Sequence, residues 1–205
     1  MQELEVINIL KKQLNFSDSA VDKIKIYINL LFKENKKHNL ISKSTENIVW
    51  SRHILDSAQI VKYIDLKNPH NIADFGSGAG LPGVLLSLFS NHYKFHVKLY
   101  EKSPVKRDFL NKIKTELDLK YDVFDNIYNH TIDSDIIVCR AFKKIEEIIK
   151  ISREIIEKSH QIIILKGKNA EKEIKGVSLP DNCSYKFEES MSDKNSKILI
   201  MSVVK

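Results

Sequence analysis

Apolar positions keep one rhythm up to about residue 70 and another after it. In the first stretch they recur every three or four residues, the spacing that gathers them on one side of an α-helix. Leu4, Ile7 and Leu10 suggest a short first helix. After a turn at Asn15, Ser17 is a candidate N-cap for a second helix, because its hydroxyl can accept from a free N–H of the first turn. Val21, Ile24, Ile28 and Leu31 form that helix's stripe. A third helix is expected from Ser44 or Thr45, with Ile48, Ile54, Ala58 and Val61 on its inner face.

After Pro69, short apolar runs alternate with amphipathic stretches. The pattern predicts strands over 71–75, 97–100, 135–139 and 161–166, and helices over 82–89, 105–117 and 145–156, the first with Pro82 in its opening turn. Nearly continuous apolar strands separated by helices imply a mostly parallel sheet covered on both faces. The segments 185–188 and 197–204 have no long helix between them and predict an antiparallel hairpin at the sheet edge. The expected architecture is α/β and doubly wound, with an N-terminal helical segment over 1–68 packed on a core over 69–205.

Composition changes this picture little. Charged residues make up 29% and hydrophobic residues 42% of the 205, the balance of a folded globular chain rather than a disordered one. Cys139 and Cys183 stand alone, without the spacing of a zinc site or a disulfide framework, so no metal is expected. No apolar run nears the roughly 20 residues of a bilayer span, and the first residues are acidic where a signal peptide is basic. A cytoplasmic protein with no membrane partner is the expectation. The net charge of +6 favours a polyanion, although a chain this rich in Lys, Ile and Asn can owe that bias to genome base composition.

The candidate chemistry sits where the first parallel strand meets the first core helix, in Asp74-Phe75-Gly76-Ser77-Gly78-Ala79-Gly80-Leu81-Pro82-Gly83. That carboxyl edge is where open α/β sheets bind ligands, and glycines allow tight turns and close backbone approach. Gly78, Gly80 and Gly83 also satisfy the dinucleotide pattern G-x-G-x-x-G. Asp74 discriminates between the two: an acid two residues before Gly76 can face the ammonium of S-adenosylmethionine, whereas dinucleotide folds usually keep that strand end apolar. Glu101, ending the second strand, is placed to accept hydrogen bonds from ribose hydroxyls of either cofactor. The bland alternative makes these acids solvated strand ends and the glycines a mere turn; agreement of loop, acid and topology weighs against it. There is no Ser/His/Asp triad, paired carboxylate or Gly-Lys-Ser/Thr phosphate loop, and no catalytic residue is assigned.

Six segments in a fixed order carry a more specific signal. They are His38-Asn39-Leu40-Ile41-Ser42, Arg52-His53-Ile54-Leu55-Asp56-Ser57, the loop 74–83, Glu101 with Lys106-Arg107-Asp108-Phe109-Leu110, Cys139-Arg140-Ala141-Phe142, and Leu165-Lys166-Gly167. Together they resemble the bacterial 16S rRNA (guanine-N7) methyltransferase G family, also called the glucose-inhibited division protein B family. The resemblance implies the class I S-adenosylmethionine-dependent methyltransferase fold, methyl transfer to a guanine N7 in 16S ribosomal RNA, and the small ribosomal subunit or its RNA as partner. It also implies cofactor contacts from Gly76, Leu81, Ile127, Tyr128 and Arg140, beside Asp74, Gly78, Gly80 and Glu101 read from the loop and strand ends. The family commonly has an acidic residue where this chain has Tyr128.

Beside such a core, Lys36, Lys37, Arg52, His53 and Lys166 become candidates for RNA contact, although His53 taken alone reads as a surface or capping histidine and Trp50 as packing. N7 carries a free lone pair, so orientation rather than a general base is the expected source of catalysis. Three other readings remain open: a methyltransferase of a small molecule or protein with a helical lid, a non-catalytic RNA-binding protein of the same fold, and a nicotinamide oxidoreductase, which Asp74 disfavours.

Overall fold

The computed structural model describes residues 1–68, 70–90 and 94–205; Pro69, at which the rhythm changes, lies outside the described residues. Seven strands form one sheet: β1 His70–Phe75, β2 Phe95–Tyr100, β3 Tyr121–Phe124, β4 Ile136–Arg140, β5 His160–Lys166, β6 Cys183–Glu189 and β7 Lys197–Val203. The helices are α1 Glu3–Lys12, α2 Asp18–Asn35, α3 Asp56–Ala58, α4 Gly83–Phe89, α5 Pro104–Glu116, α6 Ile145–Ile155 and α7 Ala170–Lys175.

Strand order is β3-β2-β1-β4-β5-β7-β6. The first five pair in parallel, and β7 runs antiparallel to both β5 and β6. The predicted hairpin is therefore present, but β7 lies inside the sheet and only β6 is at the edge. Side chains explain this: Ile198–Met201 of β7 are all buried, whereas β6 exposes Ser184, Tyr185 and Lys186.

Alternation along the strands sends apolar residues to two separate cores. Ile72, Val97, Leu99, Val138 and Ile163 join the residues of α1, α2, α4 and α5 in one cluster. Ala73, Phe75, Ile137, Cys139 and Ile162 meet α6 on the other face. The N-terminal helices thus share a hydrophobic core with one face of the sheet.

Ser17 caps α2 as expected, its hydroxyl accepting from Ala20 N–H at 3.1 Å. Two expectations need correction. Leu4 is 76% exposed, and α1 buries Val6 beside the expected Leu10; a three-residue periodicity does not by itself say which side meets the core. The third helix is not one α-helix but a 3-10 turn over Lys43–Ile48, a π-helical turn over Trp50–Leu55, α3, and a second 3-10 turn over Gln59–Tyr63. Each change of hydrogen-bond spacing rotates the apolar stripe, so Ile54, Ala58 and Val61 are buried while Ile48 is exposed. The strand β3 and the helix α7 carry no clear apolar signal in the sequence: in β3 only Tyr121 is buried.

Candidate active site

Strand β1 lies between β2 and β4, whose connections leave in opposite directions along the sheet, and such a switch point opens a crevice at the carboxyl edge. The chain turns there sharply. Gly76 and Ser77 donate their N–H groups to the Tyr100 carbonyl at 2.9 and 3.1 Å. Gly76 has φ +71°, and a β-carbon on it would lie 2.4 Å from Cδ2 of Phe142. Gly80 has φ +93°, with Val84 Cγ2 2.3 Å from such an atom. Side chains are excluded at both positions by the backbone and by their neighbours. From the far side, the Tyr27 hydroxyl of α2 donates to the Ala79 carbonyl at 2.8 Å, tying the loop to the N-terminal helices. Nothing in the sequence pattern marks Tyr27 beyond its place on an apolar helix face.

Two acids brace the loop. Glu101 is nearly buried; its Oε2 accepts from Gly78 N–H at 2.9 Å and its Oε1 from Ser103 N–H at 2.8 Å. Each oxygen keeps a second lone pair for another donor. Asp74 is fully buried, and its Oδ2 accepts from Gly83 N–H at 3.0 Å, closing the first turn of α4. Among the described residues its Oδ1 has no partner. Burial pushes the Asp74 carboxyl up to about 7, with the Gly83 N–H, the Ser77 hydroxyl and the Arg140 charge offsetting only part of that cost. Asp74 therefore stands behind the loop rather than on the surface of the cavity in front of it.

That cavity has a volume of about 420 Å³ and is lined by Gly76, Glu101, Ile127 and Tyr128 among the expected cofactor residues, with Asp125 and Phe142 beside them. Ile127 is buried and Tyr128 is 54% exposed at the rim. Gly78, Gly80 and Leu81 shape the loop from outside the cavity. Asp125 was not singled out from sequence. Its carboxylate receives His130 Nε2 at 2.6 Å and Asn129 Nδ2 at 2.8 Å, and these bonds hold it below the usual carboxylate range.

Arg140 behaves differently from expectation. It lies outside the lining of that cavity, and its guanidinium reaches back to the N-terminal segment. Nη2 donates to His53 Nδ1 at 2.6 Å, and Nη1 to the Arg52 carbonyl at 3.2 Å, with Asp56 Oδ2 and Ser57 Oγ each 3.5 Å away. A guanidinium only donates, so His53 Nδ1 must accept and its Nε2–H points to Thr45 Oγ1, 2.7 Å away. Thr45 in turn donates to the Ser42 carbonyl at 2.8 Å. Burial and the positive charges of Arg140 and Arg52 push His53 down to about 3, so it is a neutral link in a chain and not a surface histidine.

Of the RNA candidates, Arg52, His53 and Lys166 come together around a second cavity of about 310 Å³. The Lys166 ammonium already donates to the Lys143 carbonyl at 2.9 Å and to Glu173 at 3.0 Å, which spends most of its charge inside the protein. Lys36 and Lys37 are exposed just beyond α2 and line neither cavity. Among the described residues no group of His, Cys, Asp and Glu side chains is arranged to hold a metal ion.

A cavity at the switch point, bounded by a glycine loop and the carboxylate of Glu101 with its spare acceptor lone pairs, suits a nucleoside-bearing cofactor; with this strand order it defines an S-adenosylmethionine-dependent methyltransferase of the class I fold. Over residues 20–198 the chain matches the family model described as rRNA small subunit methyltransferase G, and it belongs to that family. A relative named ribosomal RNA small subunit methyltransferase G from Pelagibacter ubique (strain HTCC1062) is 33% identical over 211 residues, spanning 100% of this chain and 99% of the relative. One of the same name from Orientia tsutsugamushi (strain Ikeda) is 34% identical over 200 residues, spanning 97% and 98%. Among solved structures, cofactor-bound Rv0187 from MTB aligns with a TM-score of 0.64 at 10% identity, over 100% of this chain and 98% of that one. A mutant of MtNAS in complex with S-adenosylmethionine aligns with a TM-score of 0.60 at 12% identity, over 100% and 85%. At such identities the likeness is one of fold.

Proposed function

We propose that this chain transfers the methyl group of S-adenosylmethionine to N7 of a guanine in 16S ribosomal RNA of the small subunit. The observation that carries the reading is convergence: the loop 74–83, Glu101, the segment 139–142 and the segment 165–167, far apart in sequence, meet at the carboxyl ends of β1, β2, β4 and β5. In this reading Gly76, Gly78, Gly80 and Leu81 shape the loop around the cofactor, and Glu101 accepts from its ribose. Ile127 and Tyr128 flank the adenine, and Asp125 supplies the carboxylate that Tyr128 lacks. Bound there, S-adenosylmethionine supplies an electrophilic methyl group on a sulfonium. The chain's own residues bind, orient and exclude water. Guanine N7 has no proton to lose, and His53, neutral with both ring nitrogens engaged, is not required as a base.

Residues 1–68 then act as a helical segment that completes the site from one side, and 69–205 as the cofactor-binding core. Lys36, Lys37 and Arg52 contact RNA phosphates, while Lys166 and Arg140 order the wall between cofactor and RNA. Among the described residues no helix is long and apolar enough to cross a membrane, and we place the reaction with the ribosomal subunits in the cytoplasm. The test is to supply labelled S-adenosylmethionine together with small subunits lacking their own modifications, then separate RNA from protein and small molecules. Label in the RNA supports the reading. Label only in protein or small molecules turns it to the other methyltransferases, and cofactor binding without any transfer contradicts it.

Asp74 makes a second, independent prediction. Its folded value, near 7, is raised above the roughly 3.9 of an unfolded chain, so its contribution to stability is present below about pH 4 and lost as pH rises through 7. Asp74→Asn cannot ionise. It is expected to be more stable than the wild type at pH 8, by about 1–3 kcal/mol, and no more stable near pH 4. Urea unfolding at the two pH values measures the first effect; parallel curves at both would rule out a buried, ionising Asp74.

A further inference from the structure

The second cavity has no assigned occupant, and its position restricts what can fill it. Ala141 lines it and also lines the cofactor cavity, so the two cavities adjoin at the residue that follows β4. Ala141 adopts φ +51°, a left-handed conformation that a residue with a β-carbon takes at a cost, and such strain clusters at functional sites. In-line methyl transfer needs the acceptor atom roughly 3–3.5 Å from the methyl carbon. An acceptor pocket must therefore adjoin the cofactor cavity, and this one does, at Ala141.

Its chemistry suits a base. Leu165 offers an apolar surface, and Ser42, Thr45 and Ser196 bring hydroxyls. The Lys166 ammonium has three N–H groups, of which two are directed at Lys143 and Glu173, leaving one donor for an acceptor such as the O6 that neighbours N7 in guanine. Its walls are held before any ligand arrives. The chain from Arg140 through His53 and Thr45 to Ser42 fixes one side, and the π-helical turn that carries Arg52 and His53 is a rare conformation seen mostly at functional sites. Asp56 and Gln59 tie the loop between β6 and β7 to the same side, through Ser192 Oγ at 2.8 Å and Met191 N–H at 2.7 Å.

We propose that this second cavity receives the target purine, unstacked from the RNA, and that Gly167 at the end of β5 keeps it open. The proposal rests on the RNA methyltransferase reading above and adds to it the place of the base. Gly167 lines the cavity, and a β-carbon built on it meets nothing within 4 Å, so the fold has room for a side chain there.

Gly167→Leu is the test, with Gly167→Ala as the mild variant. Both are expected to melt as the wild type does and to bind S-adenosylmethionine with unchanged affinity. Methyl transfer to small subunits lacking their own modifications is expected to fall about 100-fold in kcat/KM for Gly167→Leu, and much less for Gly167→Ala. Gly167→Leu that transfers methyl with the wild-type kcat/KM overturns the placement. Should Gly167→Leu fail to fold, Ser42→Leu blocks the cavity from its opposite wall on an exposed residue, with the same expectation and the same contrary result. A wild type that binds cofactor but labels no RNA contradicts the underlying reading itself, an outcome distinct from a tolerated leucine.

Discussion

Gly76→Asp is expected to raise the dissociation constant for S-adenosylmethionine by more than about 100-fold, a loss of roughly 2.7 kcal/mol of binding free energy. Three effects add. A non-glycine residue at φ +71° costs about 1–2 kcal/mol. Its β-carbon would sit 2.4 Å from the Phe142 ring, which packs edge-on against Phe75 with centroids 6.1 Å apart and so must leave a settled position on the cavity wall. A new carboxylate beside Glu101 also places like charge where a ribose is to donate hydrogen bonds. Calorimetric titration reads the affinity, and thermal unfolding separates it from a collapse of the fold. Wild-type affinity in this variant would remove the glycine loop from the cofactor site.

Arg140→Met is expected to destabilise the folded protein by about 3–5 kcal/mol, because Asp56, only 5% exposed, loses its cationic neighbour and keeps a buried charge. His53 Nδ1 loses its donor at the same time, and with it the orientation of Thr45 and Ser42. If the charge on Asp56 is the main cause, adding Asp56→Asn to Arg140→Met recovers part of the loss, and the double-mutant cycle in urea gives the coupling directly. Additive losses would place the effect of Arg140 elsewhere. If Arg140 acts on the reaction as a positioning residue, as proposed, methyl transfer in this variant is expected to fall further than cofactor affinity does, the opposite of what a direct cofactor contact would give.

The difference between those two roles marks how far the sequence could be read. Strands such as 72–75 and 162–165 are apolar at nearly every position and visible as runs, since both sheet faces are covered. Asp74, Gly76 and Glu101 were legible because a turn at a strand end constrains residue type locally. Arg140 could be placed at a strand end, but the direction of its side chain is decided by Asp56 and His53, more than 80 residues earlier. Tyr27 was hidden for the same reason: its partner is the Ala79 carbonyl, and backbone acceptors leave no trace in the sequence. Asp125 escaped notice because β3 is short and mostly half-buried, so the loop that follows it had no strand to be counted from. The break of the third helix into 3-10 and π turns is likewise beyond a pattern argument, which assumes one period throughout.

The measurement that tests the central claim most directly is nucleoside analysis of small-subunit RNA, taken from particles lacking their own modifications and incubated with the protein and labelled S-adenosylmethionine. The predicted result is label recovered as 7-methylguanosine at a single site. Label recovered on another base, or on a different atom of guanine, would contradict it.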